Sequence, residues 1–273
     1  MNHHSLQIFL FVFPGTHPGP HLHAQGVICI PSRLYFTTPP NSQDIQEITV
    51  INTGHTPLKL GISVGDWDYD FWGNERTFDA GTLKTSAAGW IRTHPASCLI
   101  VEPGNRRRLE ILLKTPAASN SDNSVLVRTA MVFLTRLNPA DPGMGAEDGY
   151  AGIRPGVKVH HSFYAGDDCD CKIMDFRKLL PGSPKKPAIL ELTLFMAGKF
   201  WDEGIIQIEL RNMDSGKKTK LPNVRYYALP GDMRVVNLKI PPGTAKGRYL
   251  ATALIGSERN HHLKMAEIEF AMP

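Results

Sequence analysis

A few short clusters carry side chains whose types and spacing could do chemistry. In Asp66-Trp67-Asp68-Tyr69-Asp70-Phe71 carboxylates alternate with aromatics. A calcium loop spaces its acids this way, but it follows them at once with glycine and closes on a distal glutamate. Phe71 stands where that glycine belongs, so the expectation is a half-buried strand near a sheet end. Asp168-Cys169-Asp170-Cys171 offers metal ligands, yet no second Cys or His pair stands at zinc-finger spacing, and the run reads as a polar linker. Of the other cysteines, Cys29 and Cys98 could bridge within one domain if the chain is exported. The pairs His160-His161 and His261-His262 read as strand or turn residues, and Arg106-Arg107-Arg108 as a solvated basic face. No nucleophile elbow, phosphate-binding glycine loop, dinucleotide fingerprint or zinc-protease helix occurs. The expectation is a protein that is not an enzyme and needs no cofactor and no metal.

The elements that would position any site follow from composition and pattern. The chain has 273 residues, 42% hydrophobic and 21% charged, which excludes wholesale disorder and a membrane bundle. Thirty basic against 26 acidic residues, a net +4, fall short of the concentrated charge that nucleic-acid binding needs. The 24 Gly and 21 Pro punctuate short strands more easily than they tolerate long helices. The apolar stretch at Leu6–Phe13 is far shorter than the roughly 20 residues of a bilayer-spanning helix and has the length of a secretory signal core. Cleavage after Ala24 or Gln25 would then deliver a periplasmic or secreted protein without stable membrane insertion.

Period-two alternation dominates. It marks strands at Leu58–Val64, Leu109–Leu113, Val125–Leu137 and about Ile153–Tyr164, then at Ile189–Phe195, Gly204–Leu210, Val235–Ile240, Tyr249–Ile255 and Met265–Phe270. Turn signals such as Asn52-Thr53-Gly54, Pro103-Gly104-Asn105, Pro230-Gly231 and Pro242-Gly243 separate them. Many short strands at this spacing predict an all-β chain of two immunoglobulin-like sandwiches. The expected division is a leader or tail over 1–25, a first sandwich over 27–166 and a second over 170–273, with 138–149 as a long loop.

The segment Ile28-Cys29-Ile30-Pro31-Ser32-Arg33-Leu34-Tyr35-Phe36 resembles the first strand of PapD-like periplasmic pilus chaperones. Ile48-Thr49-Val50-Ile51-Asn52-Thr53-Gly54, Trp90-Ile91 with Pro95, and Leu99 through Pro103-Gly104 to Leu109 and Pro116 follow the family's order over roughly residues 27–165. The resemblance implies two sandwiches with a cleft between them. It implies a partner too, a β-rich pilus, fimbrial or other surface-fibre subunit held by strand donation. Arg33 stands where the family's first carboxylate-anchoring cation stands, with Lys158, or alternatively His161, as the second. Ile153, Val157, Val159 and Phe163 form the row that would pair with the client. A structural or adhesive immunoglobulin-like module on the cell surface is the competing reading. A β-sandwich enzyme is a third.

Overall fold

The computed structural model describes residues 22–24, 26–117, 126–137, 154–179, 187–260 and 262–273. Among these the chain is β throughout, apart from a 3₁₀ turn at Ala88–Trp90. The first half holds β1 (Leu22–Ala24), β2 (Val27–Ile30), β3 (Arg33–Thr37), β4 (Gln43–Asn52), β5 (Leu58–Tyr69), β6 (Glu75–Phe78), β7 (Ile91–His94), β8 (Cys98–Val101), β9 (Arg106–Lys114), β10 (Val127–Arg136) and β11 (Gly156–Ser162). The second holds β12 (Cys171–Leu179), β13 (Ile189–Met196), β14 (Asp202–Asn212), β15 (Lys218–Lys220), β16 (Val224–Ala228), β17 (Met233–Lys239), β18 (Gly247–Ser257) and β19 (Leu263–Met272).

These strands build two immunoglobulin-like sandwiches. In the first, a sheet ordered β1-β2-β4-β9-β7 faces a sheet ordered β3-β11-β10-β5-β6, with β8 paired to β5. The second packs β12-β13-β17 against β15-β14-β18-β19, with β16 beside β14. Alternation supplies each core: Leu109, Ile111 and Leu113 of β9 are fully buried, as are Leu190, Leu192 and Leu194 of β13. Asn52 ties its turn down, donating to the Thr56 and Val101 carbonyls at 2.8 and 2.9 Å and accepting from the Gly54 N–H at 2.9 Å.

The strand over Val27–Thr37 changes sheets midway. β2 pairs with β4, the chain breaks at Pro31-Ser32, and β3 then runs parallel to β11 in the opposite sheet. Proline has no N–H to give a ladder, so it suits such a break. Leu22–Ala24 form the edge strand β1 on β2, so cleavage after Ala24 or Gln25 would remove β1 and leave β2 at the edge. The rest of the expected leader, residues 1–21 with its Leu6–Phe13 core, and the loop at 138–149 lie outside the described residues. No helix among the described residues is long and apolar enough to cross a membrane.

All four cysteines are free, which corrects the Cys29–Cys98 bridge. Cys29 points into the first core from β2, whereas Cys98 alternates with the core residues Leu99 and Val101 of β8 and so points away from it. Burial pushes the Cys29 and Cys171 thiols up to about 12 and the Cys169 thiol to about 11, so they stay protonated.

A separate apolar cluster joins the two halves. Trp67, Tyr69, Val127, Met131 and Phe133 of the first sandwich pack with Cys169, Phe200, Trp201 and Leu229 of the second. They occupy the outer face of the β3-β11-β10-β5-β6 sheet, because alternation sends the intervening residues into the first core.

Candidate functional site

The outer face of that sheet forms one wall of a crevice between the sandwiches. Lys158 lies directly opposite Arg33 across the parallel β11–β3 ladder, and His160 lies opposite Tyr35. Directly opposed residues share a face, so all four side chains point toward the second sandwich. The structure thus brings Arg33 and Lys158 together.

The alternation that turns Lys158 and His160 outward turns Val157, Val159 and His161 the other way. His161 is fully buried. Its Nε2 donates to the Thr38 carbonyl at 3.0 Å, and its ring packs on Trp90 and Phe163. Of the two candidate second cations, Lys158 is therefore the one beside Arg33.

The row expected to pair with a client is corrected in part. Val157 and Val159 are fully buried in the first core. From Lys158 to Ser162, β11 already carries β10 on one edge and β3 on the other. Phe163 lies past the end of β11 against Trp90 and His161. Ile153 lies outside the described residues.

The two cations have different surroundings. Lys158 is 9% exposed and already satisfied: its Nζ is 2.7 Å from a Glu75 carboxylate oxygen and donates to the Tyr69 hydroxyl at 3.2 Å. It also lies 4.8 and 4.7 Å from the centres of the Trp67 and Tyr69 rings. Arg33 is half-buried with its guanidinium 3.7 Å over the Tyr227 ring of β16, in the second sandwich. Its Nε is buried without a hydrogen-bond partner. No described carboxylate lies within ion-pairing distance of it. Burial works against its charge, but the hydroxyl-bearing rings of Tyr69, Tyr227 and Tyr35 more than offset this and raise its pKa.

Other residues of the crevice were not singled out by sequence reasoning. Tyr35 reaches across the seam, its hydroxyl 3.4 Å from Glu203 of β14. Arg234 of β17 is 3% exposed and donates to the Tyr227 carbonyl at 2.9 Å and to the Asp70 carbonyl at 2.7 Å. It also pairs with Asp232 at 2.5 Å. The signal for these residues is weak, because Tyr227, Glu203 and Arg234 lie far from Arg33 in sequence and reach it only through folding.

His160 stacks on Tyr35 at 4.8 Å, packs on Trp201 at 5.4 Å and meets the edge of Trp67 at 5.2 Å. Burial, then the charges of Arg33, Lys158 and Arg259, push its pKa well below the ordinary value. An unfolded histidine titrates near about 6.5, so the folded state binds that proton less readily. The stability associated with neutral His160 is present above that pH and is lost as pH falls below it. Urea unfolding midpoints are expected to drop between pH 7 and pH 5, and His160→Gln is expected to flatten part of that slope. An unaltered slope in the variant would place the acid sensitivity elsewhere.

The clusters first considered for chemistry are structural. Asp66 is buried and accepts from the Leu83 N–H at 2.9 Å and the Ser86 hydroxyl at 2.6 Å. Asp68 holds Arg76 through two bonds of 2.7 and 2.8 Å. Asp70 caps the turn into β6, accepting from the Trp72 and Asn74 N–H groups at 2.9 and 2.8 Å. Gly73 takes φ +81° in that turn. Asp168 and Asp170 pair with Lys199 and Lys264, and the Cys169 thiol donates to the Trp201 carbonyl. Arg106, Arg107 and Arg108 are exposed on β9. Among the described residues no cluster of His, Cys, Asp and Glu is suited to hold a metal.

No protein-family model and no curated protein matches the chain. Among solved structures, it is similar to the CsuC–CsuE chaperone–tip adhesion subunit complex of Acinetobacter baumannii, with 13% identity and a TM-score of 0.45 over 89% of this chain and 97% of that one. It is similar to the Pseudomonas aeruginosa CupB2 chaperone, with 11% identity and a TM-score of 0.43 over 88% and 97%. The E. coli chaperone DraB gives 15% identity and a TM-score of 0.40 over 89% and 98%.

Proposed function

We propose that this protein is an exported, non-enzymatic chaperone that holds β-rich surface-fibre subunits, gripping the client's terminal carboxylate at Arg33 with help from Lys158. One observation carries the reading: Arg33 is a half-buried cation with no carboxylate at ion-pairing distance among the described residues, whereas buried Lys158 and Arg234 each have one. A guanidinium presents paired N–H donors that match a carboxylate, and such charge-assisted bonds strengthen where water is excluded. A carboxylate entering the crevice would reach the open side of Arg33, and Lys158 would add long-range attraction from the adjacent strand. Strand pairing with the client falls to the part of β11 before Lys158, where Gly156 and Val157 have β10 as their one described partner.

The test is co-purification with fibre subunits encoded beside this protein, followed by affinity measurement. Arg33→Ala combined with Lys158→Ala is expected to weaken capture on the order of 100-fold, the usual effect of truncating one side of a buried charge contact. Unchanged capture would remove the anchoring mechanism.

A further inference from the structure

The crevice that holds Arg33 contains a second charge without an ion-pair contact. Glu203, near the start of β14, faces Tyr35 across the seam and accepts from its hydroxyl at 3.4 Å. The neighbouring Glu258 is taken up by Arg225 at 2.5 Å, whereas no described cation lies within ion-pairing distance of Glu203. The backbone places the two acids together, since the Glu258 N–H donates to the Glu203 carbonyl at 2.8 Å. On the facing strand β16, Tyr227 stands opposite Glu203 in the ladder and is also the ring on which Arg33 stacks. The site therefore holds an open cation and an open anion, with Tyr35 and Tyr227 beside both.

We infer that Glu203 sets the affinity of the crevice: while ionised it acts as a resident carboxylate that disfavours an incoming one at Arg33, and neutralising it tightens carboxylate binding. The inference rests on the proposed anion site at Arg33. Two carboxylates sharing one cationic site repel, and the protein can relieve this only by protonating one of them. Glu203 is the one to take the proton. Burial, then Glu258, raises its pKa above the ordinary value, against the opposing effects of Arg33, Arg225 and the Tyr35 hydroxyl. A chain-terminal carboxylate titrates near about 3.5 and stays ionised under mild acid. Lowering the pH therefore removes the competitor before it touches the ligand.

The probe is N-acetyl-Phe-Tyr with a free C-terminal carboxylate, with its C-terminal amide as control, titrated calorimetrically against the full chain at pH 7.5 and 5.5. The wild type is expected to bind the free acid more tightly at pH 5.5 than at pH 7.5, up to the roughly tenfold that removal of one nearby like charge gives. Glu203→Gln preserves an acceptor for the Tyr35 hydroxyl. It is expected to bind about tenfold more tightly than wild type at pH 7.5, with little further gain on acidification. If Glu203→Gln binds as wild type does, binds more weakly, or keeps the full pH dependence, the role of Glu203 is overturned. If neither protein prefers the free acid to the amide, the anion site at Arg33 itself fails, and the two failures are distinct.

Discussion

Trp67→Ala is expected to lower the unfolding free energy by about 4 kcal/mol, the middle of the range for removing a buried aromatic. Trp67 is fully buried, and its Nε1 donates to the Ala130 carbonyl at 2.8 Å. Its ring meets Tyr69 edge-on at 5.0 Å and His160 at 5.2 Å. Lys158 lies over it at 4.8 Å. Truncation removes these contacts together with one buried hydrogen bond, itself worth about 0.5–1.5 kcal/mol, while the Ala130 carbonyl keeps its place in the ladder opposite Val159. Trp67→Phe keeps most of the ring and loses the N–H, so a smaller loss of about 1 kcal/mol is expected from that hydrogen bond. Equilibrium urea unfolding checks both. A loss below about 1 kcal/mol for the alanine variant would mean that the cluster between the sandwiches rearranges around the hole rather than depending on this ring.

The second large effect is expected at Arg234. Its guanidinium bridges the sandwiches: it holds Asp70 of the first while binding the Tyr227 and Met233 carbonyls and the Asp232 carboxylate of the second. Asp232 is itself buried enough for its pKa to be raised, with Arg234 opposing that shift. Removing one member of a buried, hydrogen-bonded pair strands the other, at about 3–5 kcal/mol. Arg234→Ala is therefore expected to destabilise by that amount. It is also expected to loosen the docking of the Asp70–Asn74 turn, where the Val235 N–H donates to the Phe71 carbonyl at 2.7 Å. Arg234→Lys retains the charge but not the fork, so it should recover only part of the loss. Calorimetry is expected to resolve two unfolding transitions in Arg234→Ala and one coupled transition in the wild type. A single undisturbed transition in Arg234→Ala would show that the halves are joined by the apolar cluster alone.

Much of the architecture was legible because most of the sheets have one wet and one dry face. Leu109, Ile111 and Leu113, or Ile206, Ile208 and Leu210, state their strands by alternation. The carboxylate–aromatic run at Asp66–Phe71 was legible as a strand, and its Asp66–Tyr69 part ends β5. The site was less so. Alternation says that Val157 and Lys158 oppose each other across a strand, but not which of them meets the core. On β11 both faces are covered, one by the first core and one by the second sandwich, so the polarity contrast that reveals an outer face is blurred by His160 and His161, both buried. The parallel β3–β11 pairing joins segments more than 100 residues apart, as Arg33 opposite Lys158 shows, and no local signal announces it. Strand β16, which supplies Tyr227, is short, and its Val-Arg-Tyr-Tyr-Ala run lacks clear alternation. Cys169-x-Cys171 read as a linker, whereas β12 already begins at Cys171.

The apolar cluster of Trp67, Met131, Phe133, Phe200, Trp201 and Leu229 has a mechanical meaning. Where only a flexible tether connects two lobes, a guest must freeze their relative motion as it lands, and that ordering weakens capture. Here interlocked rings brace the corner, so its geometry is settled before any guest arrives and little swivelling remains to be arrested.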